Sequence, residues 1–211
     1  MQVSDLFYRL KLILFGFLSP LFIGLGFLFL SPYFLSVSDP FQKSEYAVLE
    51  ASELPSKKGV LAIASLFQKQ TIKKLLVVIK EEKTQNHLIS AKSKAQILSS
   101  ELSEAKIDPS LVEFFFIPPG KNGEIEEAAK LILKQLVTNN AQSLLVICKQ
   151  YDAKMNRDIF QKNLNSLQVK ISIYSFPSEY TASNWFLSED GFREVVHPFV
   201  RYLYFKIRGI L

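Results

Sequence analysis

Leu144-Leu145-Val146-Ile147-Cys148 is a run of five apolar residues, and its reading decides the fold. A strand with one wet face alternates apolar and polar side chains, whereas an unbroken run of this length fits a strand covered on both faces. Similar short runs stand at residues 46–49, 75–79, 114–117 and 170–176. Between them lie longer stretches of helical character at residues 60–70, 90–105, 124–139, 152–167 and 191–208. In the third of these, Ile125, Ala128, Ala129, Ile132, Leu133 and Leu136 recur at the spacing that lines one helical face. Asp108-Pro109 reads as the N-cap and first residue of a short helical turn, and Asn139-Asn140 closes the helix before the fourth strand. Strands alternating with helices imply right-handed crossovers and a mostly parallel sheet. The expected fold is α/β: a Rossmann-like three-layer domain over residues 45–211, preceded by one N-terminal transmembrane helix.

That helix is expected within residues 1–35. Residues 12–35 hold no charged side chain, and 24 residues exceed the roughly 20 needed to cross a hydrocarbon core. Pro20 and the glycines at 16, 24 and 26 would weaken a helix in water, but bilayer helices tolerate them. Phe7, Tyr8 and Tyr33 stand near the two ends, where aromatic rings favour the interface. The competing reading is a cleaved signal peptide, because Ser36-Val37-Ser38 resembles a small-x-small site; the apolar run is longer than a signal core of about 7–15 residues. Arg9 and Lys11 precede the span, while Asp39 is the first charge after it. The positive-inside rule then puts the N-terminus in the cytoplasm and the domain outside, joined by a linker over residues 36–44.

Removing residues 1–35 leaves 176 of the 211 residues, enough for one domain with a sizeable core. The 18 Phe, 8 Tyr and recurring Val/Ile/Leu runs exclude a disordered chain. A single cysteine, Cys148, excludes a disulfide scaffold, and with only His87 and His197 beside it no structural zinc site is expected. The net charge of +5 is spread among acidic groups without a sustained basic stripe, so nucleic acid is not an expected partner.

In a doubly wound sheet, ligands sit beyond the carboxyl ends of the strands. Glu50-Ala51-Ser52-Glu53 after the first strand and Lys80-Glu81-Glu82-Lys83 after the second lack the glycines of a dinucleotide fingerprint. Pro118-Pro119-Gly120-Lys121-Asn122-Gly123-Glu124 after the third has the composition of a binding loop running into a helix N-terminus. The same residues also suit an ordinary tight turn. After the fourth strand, Lys149, Tyr151 and Asp152 are candidates to line a cleft at the sheet edge. Cys148 reads as a small core residue, since no histidine base lies near it in sequence. The candidate pocket is therefore Lys121, Asn122, Glu124, Lys149, Tyr151 and Asp152, with no catalytic constellation, no metal ligands and no cofactor expected.

Two stretches resemble the YdcF-like (SanA/ElyC-type) family of bacterial envelope domains. Gly123-Glu124-Ile125-Glu126-Glu127-Ala128-Ala129 with Leu144-Leu145-Val146-Ile147-Cys148-Lys149-Gln150-Tyr151 is similar to that family's "NTxxEA" helix start and "VTSxYH" strand end. Asn184-Trp185 through Arg208-Gly209 resembles its closing segment, a Trp before a basic, aromatic helix. The resemblance spans about residues 45–211 and implies an anchored, extracytoplasmic domain linked to envelope or peptidoglycan integrity. Where the family carries Ser-x-Tyr-His-x-x-Arg, this chain reads Lys149-Gln150-Tyr151-Asp152-Ala153-Lys154-Met155, keeping only the Tyr, with Arg157 two residues late. Such a degenerate member is expected to be a non-catalytic binding or accessory module in the bacterial inner membrane. The alternatives are an enzyme acting on a nucleotide-like or lipid-linked phosphate, and a structural subunit of a membrane assembly with an envelope protein partner. Residues 204–211, basic and aromatic, are expected to contact the bilayer or a partner, and residues 195–203 to pack across the sheet.

Overall fold

The computed structural model describes residues 3–40, 42–51, 53–81, 90–118, 124–165 and 168–211. Its centre is a five-stranded, all-parallel sheet of β1 (Ser44–Glu50), β2 (Ile72–Lys80), β3 (Val112–Ile117), β4 (Ser143–Lys149) and β5 (Lys170–Phe176). The strand order is β3-β2-β1-β4-β5, so the chain winds outward from β1 in one direction, then returns to β1's other side. The point of reversal lies between β1 and β4, where Tyr46 pairs with Leu144 and Leu49 with Ile147. The fold is the expected Rossmann-like α/β arrangement.

Burial alternates along the central strands because both faces are covered. Val48, Leu76, Val78, Leu144, Val146 and Ile173 enter one core, together with α4 (Glu124–Thr138), α5 (Ala153–Leu164) and α6 (Glu189–Ile207). Ala47, Leu49, Leu75, Val77, Leu145 and Ile147 enter the other, under α2 (Lys57–Gln68) and α3 (Ala91–Glu104). Strand β3 lies at an edge and is only half covered, which leaves Phe116 37% exposed. Helix starts follow local chemistry: Ser56, Ser90 and Ser188 accept hydrogen bonds from the backbone N–H groups of Gly59, Ser93 and Gly191. Asp108 caps the short 3-10 turn Pro109–Leu111 in the same way, through Ser110 N–H. Gly191 is required by a close approach, since a β-carbon there would collide with the Trp185 carbonyl and the Tyr180 ring.

Four helices end by one device. Gln70, Lys106, Asn140 and Gly209 take positive φ angles of 53°, 63°, 50° and 67°. In each case the next residue's N–H reaches back to close the last turn: Thr71 to Leu66, Ile107 to Leu102, Ala141 to Leu136 and Ile210 to Phe205. Thr71, Ile107 and Ala141 are then buried, so the reversal also feeds the chain back into the core.

Helix α1 (Val3–Leu35) contains Lys11–Leu35, long and apolar enough to cross a membrane, with a mean hydropathy of 2.3. It does not end at a flexible joint. Ser31, Pro32 and Leu35 are buried, and Leu35 belongs to the same core as β1 and α4. Phe29 packs against Trp185 and Phe186, and Phe34 against Tyr202. The segment expected to be a linker is pinned as well. Ser36 accepts a hydrogen bond from Gln150, while Asp39 pairs with Arg157 and accepts from Ile173 N–H. At the other end, Lys162 donates to the carbonyls of Gly209 and Ile210, Phe205 is buried, and Ile210 and Leu211 pack on the core. Residues 209–211 thus belong to the domain rather than forming a dispensable tail, because the reversal at Gly209 turns them back onto it.

Lys106 adopts the left-handed conformation without glycine's freedom from β-carbon strain. Lys106→Gly is expected to raise unfolding stability by about 0.5–1 kcal/mol, measured by denaturant titration of the detergent-solubilised protein. An unchanged or lower stability would show that the Lys106 side chain supplies a compensating contact.

Candidate functional site

The reversal of strand order marks the place where doubly wound sheets bind their ligands, at the carboxyl ends of β1 and β4. Glu53 follows β1, and Lys149 ends β4. The Lys149 ammonium is hydrogen-bonded to the Glu53 carboxylate. That hydrogen bond and charge hold Glu53 below the ordinary carboxylate range against the effect of its burial, helped by His197 and Arg201. Burial opposes the Lys149 ammonium, but Glu53, Asp152 and Glu194 outweigh it and raise its pKa. Their side chains remain 52% and 79% exposed, so solvent screens the pair and its stabilisation is at most about 1 kcal/mol.

Asp152 sits in the short 3-10 turn Gln150–Asp152 that leads from β4 into α5. Burial raises its pKa, with Glu53 acting in the same direction and Arg201, Lys149 and His197 opposing. The groups therefore face one another across three elements: the β1 loop, the β4 turn and one side of α6. Glu194, His197 and Arg201 occur at i, i+3 and i+7, the spacing of a single helix face. Three carboxylates, Glu53, Asp152 and Glu194, stand against Lys149 and Arg201, so the cluster holds no surplus of positive charge to attract an anion.

The candidates from sequence are distributed as follows. Lys149 and Asp152 join the cluster. Tyr151 does not: it is 2% exposed, and its hydroxyl donates a 2.6 Å hydrogen bond to the Tyr180 carbonyl. It faces the core because the 3-10 turn rotates it inward beneath α6. Arg157 is drawn to Asp39, away from the cluster. Lys121 and Asn122, with Pro119, Gly120 and Gly123 of their loop, lie outside the described residues, as do Glu82, Lys83 and His87, and Glu124 is described only as the first residue of α4. Cys148 is buried, which pushes its thiol well up and leaves it a core residue rather than a nucleophile. Among the described residues no three His, Cys, Asp or Glu side chains are gathered as a metal ion would need. Two shallow concavities lie elsewhere, one beside Asp39, Thr71 and Ile173 and one beneath α3 at Leu102 and Ile107.

Sequence reading missed Glu53, Glu194, His197 and Arg201. The one available signal was the i, i+3, i+7 spacing on α6, which marks a shared polar face without saying what it faces. No family model matches the chain, and no curated protein does either.

The direction of the Asp152 shift fixes a pH dependence. Its folded pKa lies above the ordinary 3.8. Between the two values the folded protein keeps a proton that the unfolded chain has lost, so this group's contribution to stability falls as pH rises through that window. Asp152→Asn removes the ionisation and is expected to melt at a higher temperature than the parent at neutral pH. The gain should disappear as pH falls below the ordinary value, followed by thermal unfolding across a pH series. A parent protein that stays more stable at neutral pH would mean that ionised Asp152 is stabilised by its cationic neighbours.

Proposed function

We propose that this chain is a membrane-anchored, extracytoplasmic module of the YdcF-like (SanA/ElyC-type) kind, acting in a bacterial envelope as a non-catalytic binding or accessory domain. One observation carries the reading: groups placed for chemistry at the switch point are engaged with each other. Lys149 is tied to Glu53 and Tyr151 to the Tyr180 backbone, and the cluster holds no surplus of positive charge. A catalytic site for a phosphate-bearing ligand would instead hold uncompensated donors aimed at open space. Linkage to envelope or peptidoglycan homeostasis rests on the resemblance of residues 45–211 alone.

A second reading, an enzyme acting on a lipid-linked phosphate, is favoured by a different observation. Gln150, next to Lys149, donates to Ser36 just beyond α1, so the cluster stands beside the exit of the helix that would span the bilayer. A carboxyl with a raised pKa there has the character of a general acid.

A thermal-shift series on the detergent-solubilised protein separates the two. Nucleotides and polyprenyl phosphates are expected to leave the melting temperature unchanged. A saturable rise with either, abolished by Lys149→Met, would replace the accessory reading with the enzymatic one.

Orientation is tested independently with single cysteines at Ser38, which is exposed, and Ser4. In intact cells an impermeant thiol reagent is expected to label the first and spare the second; the opposite pattern would place the domain in the cytoplasm.

A further inference from the structure

Beyond the α1 span, the fold carries a patch of exposed apolar side chains at a defined height along that helix. The charge-free residues 12–35 extend about 36 Å as a helix, against about 30 Å of hydrocarbon. The surplus of roughly one turn matches the part buried in the domain, Ser31, Pro32 and Leu35. Tyr33, 71% exposed, then stands where interfacial aromatic rings concentrate. Phe29, one turn deeper, lies close to the hydrocarbon boundary.

Phe29 is the residue that the domain grips from outside. Its ring centroid is 5.8 Å from that of Trp185 and 5.5 Å from that of Phe186. Trp185 in turn lies 5.9 Å from Phe192 in the first turn of α6. The 3-10 turn Trp185–Leu187 is therefore held at the depth of Phe29, with Leu187 74%, Phe186 45% and Phe192 48% exposed. Next to them come Ser188, Asp190 and the exposed Glu189–Arg193 ion pair, polar groups suited to a headgroup layer and too costly for the hydrocarbon. The other end of α6 lies farther out, since Tyr202 meets Phe34 rather than Phe29.

We infer that the Trp185–Leu187 turn and the opening of α6 form a second membrane contact, dipping Phe186 and Leu187 into the headgroup–acyl boundary of the bilayer that α1 crosses. The contact rests on α1 being a span, and the occupant follows from continuity: Phe186 packs on the very residue that meets the lipid. It is a peripheral, in-plane contact of the kind amphipathic segments make, limited in depth by Glu189 and Asp190. It also transfers the role expected of residues 204–211 to the opposite end of α6.

The test uses the full chain in vesicles of phosphatidylethanolamine and phosphatidylglycerol. An environment-sensitive fluorophore is placed on single cysteines at Leu187, at Phe22 in the middle of α1, at Leu61 on α2 and at Ile207, all exposed positions. Cys148 is buried and stays in place. Lipids spin-labelled near the top of the acyl chain are expected to quench the Leu187 probe at least about twofold more than the Leu61 and Ile207 probes. Lipids labelled deep in the chain should quench Phe22 most. Quenching at Phe22 with Leu187 indistinguishable from Leu61 would overturn the second contact and leave the span standing. No quenching at Phe22 would remove the span, and this inference with it.

Discussion

Leu35 is both the last residue of an apolar helix and a fully enclosed member of the domain core. Most of the molecule's geometry depends on that double membership. Burying a leucine side chain contributes about 1.5–3 kcal/mol, and Leu35 achieves it only if the final turn of α1 lies against the sheet side that α4, α5 and α6 cover. Once it does, Phe29 meets the 3-10 turn at Trp185, and Phe34 meets the middle of α6 and the Lys154 ammonium of α5. Gln150 to Ser36 and Arg157 to Asp39 then fasten the chain on its way to β1. A connector bound by this many partners behaves as part of the domain.

The switch point shows the same economy at the level of charge. Its position follows from the strand order, but its chemistry comes from α6, an element that folds back from the far end of the chain. Each cation there has a carboxylate facing it, and Asp152 is the group least well served: partly buried, with no hydrogen bond to its carboxylate among the described residues and a raised pKa. Tyr151, one residue earlier, is engaged through its hydroxyl and ring. Adjacent residues on one short turn thus have opposite fates, because a 3-10 turn sends neighbouring side chains in directions about a third of a revolution apart.

The sheet was legible because doubly covered strands write themselves as apolar runs: the expected strand at Lys170–Phe176 coincides with β5, and the other four lengthen by one to three residues at their ends. Helix α4 was equally plain from its apolar face. Helix α2 begins three residues earlier than expected, since Lys57-Lys58-Gly59 carries no apolar period and the start is set by the Ser56 cap. The docking of α1 could not be read at all. An apolar turn looks alike whether its surroundings are lipid or protein, and nothing in Ser31-Pro32-Tyr33-Phe34-Leu35 distinguishes the two. Half of the candidate site was hidden for a related reason: Glu194 reaches Lys149, and His197 and Arg201 reach Glu53 and Asp152, across more than forty positions of sequence, and no local pattern reports an interaction of that range.

The pinned connector has a mechanical consequence. A transmembrane helix adjusts its tilt to the thickness of the bilayer around it. With a slack tether, that adjustment would be lost before reaching the globular part. Here α1 and the sheet turn together like a blade on its handle, so with α1 across a bilayer the angle at which the carboxyl edge of β1 and β4 meets its surroundings would be dictated by the lipid. A domain so mounted would have a fixed reach: it would work at one height above the membrane and in one attitude, and any partner would have to come to it there.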